Sequence, residues 1–250
     1  MTNSITAILT GYNRPQNMNA IADAISGQSI PPDDVWVWYN KGVEEQEELE
    51  GLKGAYCTHN FGFFGRFAMA LMAQTEYVAI FDDDTVPGEK WFENCLITMG
   101  KTPGILGTVG IYLHGPHYHG HERAGWPAPN EEAIEVDLVG HCWFMRREDV
   151  KWMFIEDPPR WTNGEDIHLS ATASRLGGVK TIVPPHPTNN TSMWGSLHGN
   201  YLGMDKAASS LKNIRNHVEQ RDIIVREEIK RGWVPLHMRR NDASSNEVSS

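Results

Sequence analysis

The sequence predicts an α/β fold, a mostly parallel central sheet flanked by helices in a single domain. Three observations predict it. Short apolar runs with strand character alternate with segments whose apolar residues recur at helical spacing, through the first hundred residues. Polar loops follow four of these runs, at the carboxyl ends where open α/β sheets bind ligands. The composition is that of a globular protein, 40% hydrophobic and 22% charged, and 250 residues suffice for one large α/β domain or two small ones.

The elements follow in order. ITAILT (5–10) reads as a buried strand and GYNRP as its loop. QNMNAIADAIS is a helix, with Met18, Ile21, Ala22 and Ile25 on one face, Pro15 in the first turn and Asn13 as its cap. DVWVWYN (34–40) is a second strand, and VEEQEELEG a short exposed helix. AYCTH (55–59) is a third strand. The helix after it sets Phe63, Phe64, Phe67, Ala70 and Leu71 on a core face. YVAIFD (77–82) is a fourth strand, and a helix opens at Pro87.

The second half is less regular. ILGTVGIYL (105–113) is a strand, followed by a long polar loop rich in His, Gly and Pro; loops of that length are functional or mobile. AIEVDLVGHCWFMRRED runs from strand into helix, PPRWTNGEDIHLSATASRLGG is a loop and helix, and VKTIVPPHP is a last strand. Residues 203–231 are mostly helical, their mixed charges reading as a solvated amphipathic face, and 236–250 form a disordered tail.

Net charge is −10, which excludes a general nucleic-acid binder, since that needs a basic footprint. Three scattered cysteines, Cys57, Cys95 and Cys142, exclude a disulfide framework or a zinc ribbon. With no 18-residue apolar run, the expectation is a chain without an integral membrane segment, cytoplasmic or peripheral to a membrane. GxxxxGK[ST], GxGxxG after a strand, and GxSxG are all missing, which removes the main support for kinase, nicotinamide and α/β-hydrolase readings.

Chemistry concentrates in three places. The apolar run 77–81 ends in Asp82, Asp83 and Asp84. Two like charges 4 Å apart repel by about 4 kcal/mol at an effective dielectric of 20, so the cluster needs a counter-charge. Alternation on an extended chain puts Asp82 and Asp84 on one face, a site for a hard divalent cation, Mn²⁺ or Mg²⁺. Asp83 then points outward and is the member expected to tolerate mutation best. The second place is Glu165 and Asp166 at the front of a helix, where they are either dipole-stabilised acids or a catalytic acid or base. The third is His114, His117, His119 and His121, open to a zinc site, an acceptor or lid loop, or a solvated loop. His198 is a separate candidate for metal or phosphate contact.

In this order the motifs resemble GT-A glycosyltransferases, whose fold is Rossmann-like, and most nearly the exostosin-like members. The resemblance rests on Tyr12-Asn13-Arg14, Trp38-Tyr39-Asn40, Asn60 to Arg66, Asp82-Asp83-Asp84-Thr85, Glu165-Asp166-Ile167 and Ser192-Met193-Trp194, and covers about residues 5–215. It implies a metal-dependent transfer of a sugar from a nucleoside-diphosphate donor, UDP before GDP, to a glycan or polysaccharide hydroxyl. It implies a catalytic domain over 1–235, with a nucleotide-binding half (1–100) and an acceptor half (101–235). Asp84, with Asp82 and His198, would hold Mn²⁺ or Mg²⁺. Asn13, Arg14, Asn40, Asn60, Arg66, Asp82, Asp83 and Trp194 would bind the donor or acceptor, and Asp166 with Glu165 would be catalytic. The chain departs from the pattern at Gly195, where a basic residue is expected and for which His198 is the substitute, and in the His-rich loop. The lack of an anchor fits a bacterial or viral origin. Two other classes stay open: a metal-dependent phosphoester or sugar hydrolase using the histidines, and a nucleotide-sugar-binding module without turnover.

Overall fold

A computed structural model describes residues 3–42, 48–197, 202 and 214–239. Most of the exposed helix expected over 43–51 lies outside these residues, as do His198, 203–213 and the expected tail from 240 on. Residues 236–239 of that tail are helical, with the Met238 N–H donating to Pro235 O at 3.0 Å, which corrects the expected disorder there.

Strand β1 (Ile5–Gly11) lies between β2 (Asp34–Tyr39) and β4 (Tyr77–Phe81), parallel to both, and β3 (Lys53–Tyr56) extends this parallel half beyond β2. The sheet continues from β4 through β8 (Leu138–Arg146), β5 (Gly104–Tyr112), β9 (Lys180–Val183) and β7 (Ile134–Val136). The antiparallel pairs are confined to this second half. The α/β class and the central sheet flanked by helices are as the sequence predicts.

Apolar residues run continuously along the central strands because both faces are covered. Ile5, Ala7 and Leu9 of β1 and Tyr77, Ala79 and Phe81 of β4 pack with α1 (Pro15–Ser26) and α3 (Trp91–Lys101). Ile8, Val78 and Ile80 point to the other face, against α2 (Gly65–Ala70), Trp143 and α4 (Glu165–Gly177). A third cluster joins Ile167 and Ala171 of α4 to Ile224 and Val225 of α5 (Ile214–Lys230).

Several local expectations are corrected. Arg14, not Asn13, occupies the N-cap of α1, and no side chain caps that end. Strand β3 starts two residues before the expected 55. Phe64, Phe67 and Ala70 are buried as expected, whereas Leu71 is exposed. Helix α3 begins at Trp91 and not at Pro87, because residues 86–90 bond elsewhere: Gly88 N–H to Trp194 O at 2.8 Å and Lys90 N–H to Ser192 O at 2.7 Å. The long polar loop contains a strand, β6 (Glu122–Gly125), paired antiparallel with β5. Helix α5 is not simply solvated, since Arg221, Asp222 and Glu228 are all buried.

The segment after β9 folds under α3. Its Gly195 is required by packing: a Cβ there would lie 2.1 Å from Thr108 Oγ1 and 2.9 Å from Trp91. Beside it, His186 is fully buried, its ring 5.6 Å from that of Trp91 and 5.7 Å from that of Trp194. Gly195 N–H donates to His186 Nε2 at 3.2 Å, and Nδ1 donates to Pro184 O at 2.9 Å, an arrangement only a neutral imidazole satisfies. Burial pushes its pKa down to about 4. The unfolded chain binds this proton near pH 6.5 and the folded chain does not, so the associated stability is complete above pH 6.5 and is lost as pH falls towards 4. Urea midpoints are therefore expected to fall between pH 7 and pH 5. An NMR titration placing the folded His186 pKa above 6 would contradict this.

Candidate active site

The C-terminal ends of β1, β2 and β4 converge on one edge. Beyond β4, the Asp82 N–H donates to His141 O at 3.1 Å, so the antiparallel β8 carries His141 opposite the acidic cluster. Ligand atoms of Asp82, Asp84 and His141 lie within 4.8 Å of one another, the one such group among the described residues. The imidazole Nδ1 is 3.9 Å from Asp84 Oδ1. His141 has φ of 68°, the one positive value among described non-glycine residues, and its carbonyl also accepts from Thr85 Oγ1 at 3.0 Å. Left-handed backbone at such a residue persists only when its surroundings fix it.

Asp83 is where the sequence reading fails. It points inward and is buried, paired with the equally buried Arg14, and its backbone carbonyl accepts from Asn17 Nδ2 at 2.8 Å. Burial, opposed by Arg14, pushes its carboxyl up to about 6. Its replacement is therefore not the mild one. Arg14 also lies 3.3 Å from Asp84 Oδ2. Burial and then Asp82 raise the Asp84 carboxyl above the usual range.

Arg66 on α2 is buried between two elements. It pairs with Asp82 and, at 3.2 Å, with Glu165 Oε1, while its guanidinium lies 4.8 Å over the Trp143 ring. Gly164, the N-cap of helix α4, has φ of 76° and turns the chain into Glu165 and Asp166. Burial and the adjacent Asp166 push the Glu165 carboxyl up to about 7 against the pull of Arg66 and Arg221. Asp166 pairs with Arg221 of α5. An added Cβ on Gly140 would sit 3.8 Å from Asp166 Oδ2, so Asp166 lies next to the His141 segment. Asp82, Asp83, Asp84, Glu165 and Asp166 face Arg14, Arg66 and Arg221, which leaves two carboxylates in excess. That imbalance, and an oxygen-rich set with one imidazole, fits a divalent cation such as Mn²⁺ or Mg²⁺.

A mannosyltransferase from Pyrobaculum calidifontis, solved with GDP-Man and Mn²⁺, superposes with a TM-score of 0.57 at 17% identity, over 92% of this chain and 65% of that one. TarS of S. aureus, solved with UDP-GlcNAc, gives 0.53 at 16% identity, over 73% and 56%. A longer TarS structure gives 0.54 at 16%, over 73% and 35%. The fold is that of GT-A glycosyltransferases. No protein-family model and no curated protein matches the sequence. The chain spans 35–65% of the length of these neighbours, and identity this low carries the fold and not the reaction.

Within this glycosyltransferase fold, the other expected residues fall in different places. Asn40 uses its amide on the neighbouring loop, donating to Asn60 Oδ1 at 2.9 Å and Gly62 O at 3.1 Å and accepting from Phe61 N at 3.0 Å. Asn60 Nδ2 donates to Tyr12 Oη at 3.0 Å, so Asn40 and Asn60 tie three loops together. The Asn13 N–H reaches Asp83 Oδ2 at 3.4 Å. Trp194 donates its indole N–H to Pro187 O at 2.8 Å and packs on His186, in the segment under α3. Of the His-rich loop, no residue joins the acidic cluster in a three-ligand group among the described residues. His141 and Arg221 were missed. A polar residue between Gly140 and Cys142 in an apolar strand, and an arginine spaced three and four residues from Ile224 and Val225, were their signals.

His141→Gly separates backbone from ligand. Relief of the left-handed backbone is expected to raise stability by about 1 kcal/mol, while loss of a direct ligand lowers Mn²⁺ affinity ~100-fold or more, beyond what outer-shell partners cost. Thermal unfolding and Mn²⁺ titration check this together. A destabilised variant that keeps its affinity would contradict it.

Proposed function

We propose that this chain is a metal-dependent glycosyltransferase that moves a sugar from a nucleoside-diphosphate donor, a UDP-sugar before a GDP-sugar, to a glycan hydroxyl. The observation that carries the reading is the Asp82, Asp84 and His141 group facing Glu165 and Asp166 at the ligand-binding edge of a glycosyltransferase fold. The exostosin-like order of motifs supports it, as does a fold neighbour solved with both a nucleotide sugar and Mn²⁺.

Asp82, Asp84 and His141 would hold the cation, with Mn²⁺ preferred to Mg²⁺ because one ligand is an imidazole. When bound, the metal supplies Lewis-acid stabilisation of the leaving diphosphate. Arg14 holds the Asp83–Asp84 turn, and Arg66 fixes Asp82 relative to Glu165. Residues 1–100 form the donor half and 101–235 the acceptor half. Asp166 faces the reacting carbon. As a base it takes the acceptor hydroxyl proton while that oxygen bonds to the sugar carbon and the bond to diphosphate breaks, giving inversion. As a charge stabiliser it gives retention, and NMR of the product anomer tells the two apart.

The test is release of UDP or GDP from a panel of UDP-GlcNAc, UDP-glucose, UDP-galactose and GDP-mannose with Mn²⁺. Slow release from at least one donor, stopped by EDTA, is expected. Neither binding nor release across the panel would overturn the reading.

A further inference from the structure

Two consecutive buried residues of α5 reach in two directions. Arg221 Nη2 bonds Asp166 Oδ2, and its Nη1 donates to Asn163 Oδ1 at 3.3 Å. Its guanidinium also lies 4.3 Å over the ring of Tyr118. Asp222 Oδ1 accepts the backbone N–H groups of Tyr118 at 2.6 Å and His119 at 2.8 Å, and its Oδ2 meets His119 Nδ1 at 2.8 Å. The helix that pairs with Asp166 therefore also carries the His-rich loop.

Burying an arginine and an aspartate side by side costs several kcal/mol unless their hydrogen bonds are met elsewhere. Here the two Nη atoms of Arg221 bond Asp166 and Asn163, and Asp222 bonds the loop, with no bond from one to the other. The second oxygen of Asp166 accepts its neighbour's N–H, from Ile167 at 2.9 Å. Both carboxylate oxygens are thus fixed, and the direction of the side chain depends on the guanidinium. The loop thus meets α5 at the residue that pairs with Asp166 and at the next one.

We propose that Arg221 is a positioning residue that sets the direction of Asp166, and that with Asp222 it holds Tyr118–His121 as the acceptor-side wall of the site. This rests on the glycosyltransferase reading. It assigns the His-rich loop to acceptor approach and not to metal binding.

The experiment compares the full chain with Arg221→Gln, Arg221→Lys and Asp222→Asn. Donor hydrolysis is measured on the four-donor panel, with Mn²⁺–UDP and Mn²⁺–GDP binding measured separately by calorimetry. Arg221→Gln is expected to bind the Mn²⁺–nucleotide within twofold of the parent, to keep the donor KM, and to lose kcat ~100-fold. Arg221→Lys keeps the charge without the planar fork, and should recover about tenfold of that loss. In Asp222→Asn, hydrogen exchange at the Tyr118 and His119 amides should rise ~10-fold. Should Arg221→Gln fail to fold, Arg221→Lys alone decides, with an expected tenfold deficit in kcat at unchanged KM. Parental kcat in the arginine variants, or a loss confined to KM or to thermal stability, overturns the inference and leaves the function standing. A parent that releases no nucleotide from any donor overturns both.

Discussion

Asp84→Ala is expected to abolish metal-dependent nucleotide binding without unfolding the protein. Asp84 belongs to the one three-ligand group among the described residues and sits in a site with two carboxylates in excess. Removing one ligand of three should weaken Mn²⁺ affinity at least ~100-fold, more than the loss typical of outer-shell partners. Removing one of several crowded carboxylates relieves repulsion, so the metal-free protein should unfold at the parental temperature or above it. Asp83→Ala should behave oppositely. It leaves the buried Arg14 without its closest partner, and the metal-free protein should lose stability. Calorimetric Mn²⁺ titration and thermal unfolding of both variants check the contrast. Equal loss of stability in the two would mean that Asp84 belongs to the fold and not to a cation site.

The second large effect is at Arg66. Its guanidinium is buried between Asp82, just after β4, and Glu165, the first residue of α4. Arg66→Met should cost roughly 3 kcal/mol, because the buried Glu165 then faces the partly exposed Asp82 without a cation. Glu165→Gln in the same chain removes one of those charges, and the double variant should recover part of the loss. Denaturant unfolding of the single and double variants measures it. A single variant within about 1 kcal/mol of the parent would show that the Asp82–Arg66–Glu165 bridge does not join the two halves of the site.

Much of this was legible in the sequence, for a physical reason. Strands buried on both faces leave continuous apolar runs, and polar loops at their carboxyl ends mark one edge of the sheet. Asp82, Asp84, Glu165 and Asp166 stood out because carboxylates at the mouth of a buried strand or the front of a helix are local signals. His141 was not local in this sense. Its place depends on β8 running antiparallel to β4 with Cys142 opposite Phe81, a register no single strand reveals. The inward turn of Asp83 depends on Arg14, 69 residues away. Helix α5 read as solvated because its charges alternate in sign, although Arg221, Ile224, Val225 and Glu228 share a face at helical spacing. The late start of α3 also comes from a distant partner, the 192–194 segment that takes the Gly88 and Lys90 N–H groups just before it.

The Trp194 and Gly195 positions show the same limit. The motif pointed to Trp194 but not to its bond with Pro187 O, and the glycine in place of the expected basic residue at 195 follows from the lack of room against Thr108 and Trp91. No helix among the described residues is long and apolar enough to cross a membrane.

If the acidic edge holds a divalent cation for a nucleotide-sugar donor, donor binding must depend on both the metal and Asp84. The most direct test is a calorimetric titration of UDP-GlcNAc and GDP-mannose into the protein, with Mn²⁺ and with EDTA, for the parent and for Asp84→Ala. At least one donor should bind the parent with Mn²⁺, EDTA should remove the binding, and the variant should show none. Donor binding that is equal in EDTA, or equal in the variant, would contradict that dependence.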